Sequence, residues 1–281
     1  MNGVILLDGP MGTELHARGI ATPLPAWSSL ALETAPDVVR AIHREYAAAG
    51  ATVHTTNTFR TRPAVLGEGW AESARLAVRL AREAVPRDHR VAGSIAPLED
   101  CYSPQDSPAD RDPDGTRSAH AGLARVLADA GCDLLLCETF PHVEEAWLAT
   151  EAAVATGLET WTSFTPGPST DLLTPAEVGW AAAGACDRGA RAVLVNCLAH
   201  HRVPDYLDAL TKAAAGREVL VGVYANAGWV DGESGWKPAP LAPDEYAGSA
   251  LAWRDAGATI LGTCCGTGVE HVAALARAFA R

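Results

Sequence analysis

The stretch EYAAAGATVHTTNT (45–58) changes character at Gly50: it is Ala-rich before that residue and β-branched after it. Ala favours helix, Gly readily takes the left-handed conformation that ends one, and Thr and Val favour an extended strand. The same change recurs in LADAGCDLLLCET (127–139), CDRGARAVLVNC (186–197) and WRDAGATILGTCC (253–265). The apolar runs show little polar alternation, which suits strands covered on both faces, as in a parallel sheet.

Outward from these four units, strands are predicted over 4–7, 51–56, 90–95, 132–137, 159–164, 191–196, 218–224 and 258–263. A helix is predicted after each, over 36–49, 71–85, 117–130, 142–156, 175–188, 204–215, 243–256 and 269–280. Eight alternating pairs imply an α/β fold, a (β/α)8 TIM barrel that takes up residues 1–281 as a single domain. The rival, a doubly wound open sheet, would carry a G-x-G-x-x-G turn after its first strand, and none follows MNGVILLDG. Two polar, Pro- and Gly-rich segments follow predicted strands, at 99–116 and 226–243. Both are candidate lids, with 105–114 read as a surface insertion.

Composition narrows the function. The 281 residues include 22 Lys+Arg and 34 Asp+Glu, a net charge of −12, with no basic block to displace counterions from a nucleic acid. The N-terminus lacks the basic start of a signal peptide, and no run of about 18 apolar residues could span a bilayer. The expectation is a cytoplasmic protein acting on small molecules, with no nucleic-acid or membrane partner. Seven cysteines, an odd number spread along the chain, read as reduced thiols rather than a disulfide scaffold. Neither a G-x-x-x-x-G-K-[ST] loop nor a G-x-S-x-G elbow is present, so ATP-driven chemistry and serine hydrolysis are unsupported.

Barrel enzymes build their sites at strand C-termini. Those positions hold Asp8, Thr55–Asn57, Cys137-Glu138, Asn196-Cys197, Tyr224–Asn226 and Gly262–Thr267. Within a strand, Cys264 and Cys265 would face opposite sides. At a strand end, Gly266 lets the backbone turn so that both sulfurs face one ion. Cys197, or Cys137, is placed to add a third thiolate, and three thiolates with an open position is the layout of a catalytic zinc site. His200 and His201 leave a mixed Cys/His set open, or cap the next helix. Cys132 and Cys186 read as packing and Cys101 as incidental, while His54 reads as either core or site. Asp8 and Glu138 either hold a cationic group such as an α-ammonium or serve a turn and an arginine pair. Asn196, beside Cys197, is expected to contact substrate. Trp27, Trp229 and Trp236 are candidates for cation–π contact with an onium group.

The segments LLDGPMGTEL (6–15), TTNTF (55–59), CETFPHVEEA (137–146), LVNC (194–197), YANAG (224–228) and GTCCGT (262–267) span nearly the whole chain. Taken in that order they resemble the homocysteine S-methyltransferase family, a family of zinc-containing (β/α)8 barrels. The resemblance implies Cys197, Cys264 and Cys265 as Zn2+ ligands, Asp8 and Glu138 as partners of the homocysteine ammonium, and a packing role for Cys137. It implies methyl transfer from S-methylmethionine or S-adenosylmethionine to homocysteine, giving methionine. One helix after GTCCGT leaves no room for the C-terminal extension of the betaine enzymes or for folate and cobalamin modules. Departures from the family pattern fall at Pro10, at Ala225 where proline is common, and at Leu198-Ala199-His200. They leave open another small thiol or selenol as acceptor. A homocysteine-presenting subunit for a separate corrinoid protein, and a non-catalytic zinc- or thiol-binding barrel, also stay open.

Overall fold

The computed structural model describes residues 3–169, 171–231, 235–238 and 241–280, of which 228–231 and 235–238 are described as backbone only. Its strands are β1 Ile5–Leu6, β2 Val53–Thr55, β3 Arg90–Ile95, β4 Leu134–Phe140, β5 Glu159–Phe164, β6 Ala192–Ala199, β7 Leu220–Asn226, β8 Gly228–Asp231, β9 Gly235–Pro238 and β10 Ile260–Thr263. Eight of these form one parallel sheet in the order β1-β10-β7-β6-β5-β4-β3-β2. A parallel bridge between Leu7 and Val53 joins the two edge strands and closes the barrel. The eight predicted strands are the eight barrel strands, shifted by a few residues at their ends.

The predicted helices are all present: α3 Pro36–Ala49, α5 Trp70–Ala84, α6 Pro113–Asp129, α7 Val143–Val154, α8 Pro175–Asp187, α9 Val203–Ala214, α10 Pro243–Asp255 and α11 Val269–Phe279. The punctuation read from the sequence explains their ends. Proline opens α3, α6, α8 and α10, where its missing N–H costs nothing. The glycines of the four quoted stretches, Gly50, Gly131, Gly189 and Gly257, all have positive φ just past a helix. Three short helices were not anticipated: α1 Met11–Ala17, α2 Ala31–Thr34 and α4 Pro63–Leu66. Nor was the hairpin β8–β9, which pairs Gly228 with Pro238 and Asp231 with Gly235 inside the segment read as a loop.

Two cores result. Inside the barrel, Leu7, Val53, Leu134, Leu136, Trp161 and Leu194 pack together. Between barrel and helices, the alternate residues of the same strands, such as Leu135, Cys137, Val193 and Val195, meet the apolar faces of the helices. Cys132 also packs there, and Cys186 lies half-buried at its edge. Among the described residues no helix is long and apolar enough to cross a membrane.

Candidate metal and substrate site

Strand alternation puts Leu194 inward and Val195 outward, so Asn196 should face in and Cys197 out. The structure breaks that alternation with a backbone kink. Cys197 has φ +58, and the pairing of β6 with β7 shifts register between Asn196 and Ala199. A matching kink sits in β4, where Thr139 has φ +63 and the pairing with β5 shifts between Cys137 and Phe140. Left-handed φ is strained for a residue with a Cβ and persists only where surroundings fix it. Here Asn196 Nδ2 donates to Thr139 Oγ1 at 2.8 Å, tying the two kinks together, and Ser163 Oγ donates to Asn196 Oδ1 at 2.7 Å.

The kink turns the Cys197 sulfur toward the pair at the end of β10. Cys264 Sγ lies 3.6 Å and Cys265 Sγ 3.9 Å from Cys197 Sγ, and Gly266 turns the chain there with φ +79. Thiolates around a tetrahedral ion with bonds of about 2.3 Å stand roughly 3.7–3.8 Å apart. The three sulfurs therefore fit a metal ion that takes thiolate ligands with little movement. Hydrogen bonds with Cys264 and Cys265 pull the Cys197 thiol well below its ordinary value, and the hydrogen bond with Cys197 pushes each of the other two up. Beside them the Asn226 amide contacts the Cys197 sulfur and helps to lower its thiol, while the Thr263 hydroxyl is buried without a hydrogen-bond partner among the described residues, a polar group that a bound ion or substrate could engage.

A cavity of about 630 Å³ opens over the sulfurs and is lined by Asp8, Glu138, Tyr224 and all three cysteines, among others. Asp8 Oδ2 accepts the Thr55 amide at 2.9 Å. Burial pushes its carboxyl well up, and the negative charge of Glu138 adds to that. Glu138 accepts hydrogen bonds from Ser94 Oγ and, at 3.4 Å, from Tyr224 OH, while burial pushes its carboxyl up to about 7. Two buried carboxyls without a cationic partner among the described residues make a receptor for an ammonium group. Behind Asp8 stands His43, its Nδ1 4.0 Å from Asp8 Oδ2; burial lowers it to about 4, so it is neutral.

The structure sorts the remaining sequence candidates. Cys137 points outward into the helix-facing core, and His54 is buried against His89 at 3.0 Å. His200 and His201 form the turn that leads into α9, outside the three-cysteine set. Asn196, expected to touch substrate, does not line the cavity; its amide is committed to Ser163 and Thr139, and it holds the kink instead. Trp27 lines the cavity, whereas the side chains of Trp229 and Trp236 lie outside the described residues. The loop after β3, read only as a candidate lid with Cys101 incidental to it, supplies three lining residues. Asp100, Cys101 and Tyr102 all line the cavity, and Tyr102 OH lies 3.0 Å from Cys197 Sγ. The one signal for them was that this long segment follows a barrel strand.

A sequence profile described as Homocysteine S-methyltransferase matches residues 5–279. The chain is 31% identical to the homocysteine S-methyltransferase of Escherichia coli, with 97% of this chain and 94% of that protein aligned. It is 29% identical to homocysteine S-methyltransferase 4 of Zea mays, over 98% of this chain and 89% of that one. Among solved structures, the metallated form of the homocysteine methyltransferase MmuM from Escherichia coli superposes with a TM-score of 0.79 at 26% identity, covering 98% and 96% of the two chains.

Proposed function

Because the chain belongs to the homocysteine S-methyltransferase family, we propose that it moves a methyl group from a sulfonium donor, S-methylmethionine or S-adenosylmethionine, to the thiol of L-homocysteine, giving methionine. One observation carries this reading: three sulfurs at metal-ligand spacing open onto the same cavity as two buried carboxyls that no cation pairs with among the described residues. Cys197, Cys264 and Cys265 would hold a zinc ion. Bound there, zinc supplies a Lewis acid that keeps an alkyl thiol, with an ordinary pKa of about 8.5, as thiolate near neutral pH.

The chain's own residues contribute orientation. Asp8 and Glu138 take the ammonium of homocysteine, and the fixed distance from them to the sulfurs aims the substrate thiol at the metal. The ammonium would favour the ionised form of two carboxyls that burial pushes up. Methyl transfer is an in-line displacement with a neutral thioether leaving, so no side chain need donate or accept a proton at the reacting carbon. Alignment of thiolate and donor is then the chief catalytic effect. The net charge of −12 favours approach of a cationic donor.

The test is turnover. Purified protein with homocysteine and S-methylmethionine should form methionine, and a chelator or Cys264→Ser should abolish it. Turnover only after a corrinoid protein is added would instead make the chain a homocysteine-presenting subunit. Retained metal with no turnover under any donor would make it a binding protein.

A further inference from the structure

A second cluster of ligating side chains lies behind the cavity wall. Asp8 follows β1, His43 belongs to α3 and His54 to β2. Both histidines are fully buried, and Asp8, 5% exposed, is the member that lines the cavity. One ligand atom from each of the three lies within 4.8 Å of the other two.

The cluster is short of hydrogen bonds. Neither ring nitrogen of His43 has a partner among the described residues, nor has His54 Nδ1, nor the Tyr46 hydroxyl one turn further along α3. That hydroxyl stands beside Asp8, since a Cβ on Gly9 would come within 2.6 Å of it. Buried polar atoms are ordinarily paired, so orphans gathered in one place point to an occupant. Asp8 itself has no lysine or arginine partner among the described residues. The outer contacts suit an ion better than a water. His54 Nε2 stands 3.0 Å from His89 Nδ1, and in the tautomer that donates along this contact the Nδ1 lone pair is free. A hydrogen bond on the far nitrogen is what ordinarily orients a metal-ligating imidazole. Asp8 Oδ2 accepts the Thr55 amide at 2.9 Å, which fixes the carboxyl in the same way.

We infer that Asp8, His43 and His54 form a second cation site, for a divalent transition metal such as zinc. Two imidazoles and a carboxylate suit zinc and its first-row neighbours, whereas Mg2+ and Ca2+ take shells of oxygen. Ligands with bonds of about 2.0–2.2 Å to a tetrahedral ion stand roughly 3.3–3.5 Å apart, so each atom closes in by less than about 1 Å. The three sulfurs already stand at their spacing and need less movement. The thiolates therefore take the first equivalent, and this cluster fills when metal is in excess. One consequence rests on the methyl-transfer reading, in which Asp8 holds the homocysteine ammonium. Ion and ammonium then exclude one another at Asp8, and excess zinc inhibits.

Cobalt(II) tells the two sites apart, because thiolate ligation gives intense sulfur-to-metal charge-transfer absorption and imidazole with carboxylate does not. In equilibrium dialysis the full chain should bind two equivalents. Cys264→Ser/Cys265→Ser should keep one, without the thiolate band. In that background His89→Ala, which removes only the outer partner of His54, should weaken cobalt binding about 10- to 100-fold. His54→Leu, which removes a ligand, should cost more, and thermal melting of each variant by circular dichroism reports that it is folded. Methionine carries the α-ammonium and has no thiol to chelate the ion. It should bind Cys264→Ser/Cys265→Ser more weakly as cobalt fills the cluster, and cobalt should weaken by the same factor when methionine is present. A single equivalent in the full chain, none in the double variant, or binding that both histidine substitutions leave unchanged would overturn the site and leave a water in the cluster. The ammonium role of Asp8 fails separately: histidine-dependent cobalt binding that leaves methionine affinity unchanged would remove that role while the site stands.

Discussion

Cys197 reaches the site by a left-handed backbone step, and Asn196 holds that step by spanning Ser163 and Thr139. Replacing Asn196 by Ala leaves two buried hydroxyls without this partner, at a cost of about 1–3 kcal/mol. Because the kink also aims a ligand, metal affinity should fall with stability; denaturant unfolding and a chelator competition measure the two. An unchanged affinity would separate the kink from the metal. Asp8, Glu138 and the cysteine pair were legible in the sequence because strand ends collect the chemistry of a barrel. The direction of Cys197 was not, since period-2 alternation sends it outward with Cys137, and a positive φ leaves no mark on a residue that is not glycine. Glu138 couples homocysteine binding to pH. Its carboxyl is pushed up to about 7 from 4.5, so in the substrate-free protein its ionisation removes stability as pH climbs through that interval. Binding the homocysteine ammonium requires the ionised form. Homocysteine affinity should therefore fall as pH drops below about 7, by up to about tenfold per unit, and Glu138→Gln should bind weakly with that step missing.

At the scale of elements, the loop after β3 is the part least legible in advance and the one on which the cavity wall depends. Its shape is set by Glu145, far along the chain in the first turn of α7 and 1% exposed. This carboxylate accepts the Leu98 amide at 2.7 Å and Ser107 Oγ at 2.5 Å, and faces His120 Nε2 at 3.3 Å. One side chain thus pins both ends of the stretch that carries Asp100, Cys101 and Tyr102. Nothing in EDCYSPQDSPADRDPDGT announces an anchor 38 residues beyond Ser107, which is why Cys101 reads as incidental and 105–114 as an insertion. Burial alone would raise the Glu145 carboxyl, yet the hydrogen bonds from His120, Ser107 and Leu98 bring it below its ordinary value. A depressed carboxyl contributes stability that is present above its unfolded pKa of about 4.3 and lost as pH falls through the folded one. Glu145→Ala should destabilise by about 3–5 kcal/mol, the cost of breaking a buried network at one member. Proteolysis should then cut first within 98–112. Cutting elsewhere would show that the loop is held by other means.

At the scale of the whole molecule, the site exists only when the barrel is closed. Asp8 comes from the end of β1, Glu138 from β4, Cys197 from β6, and Cys264 and Cys265 from the end of β10, strands at different places around the ring. The Leu7–Val53 bridge that closes the sheet adjoins Asp8, whose own amide donates to the Val53 carbonyl at 3.0 Å. An ion that engages sulfurs 67 residues apart binds the folded barrel and not an unfolded chain, so its binding free energy adds to the stability of the whole. At free metal 100 times the dissociation constant that addition is about 2.7 kcal/mol. For a chain of this size each kcal/mol moves the melting temperature by about 2–4 °C, so loading should raise it by roughly 5–10 °C. A chelator should reverse the rise, and Cys264→Ser should lack it while melting close to the metal-free parent. Thermal unfolding at fixed protein concentration, with metal content measured on the same samples, decides this. A melting temperature indifferent to chelator in protein that holds one equivalent of metal would place the ion away from the three sulfurs.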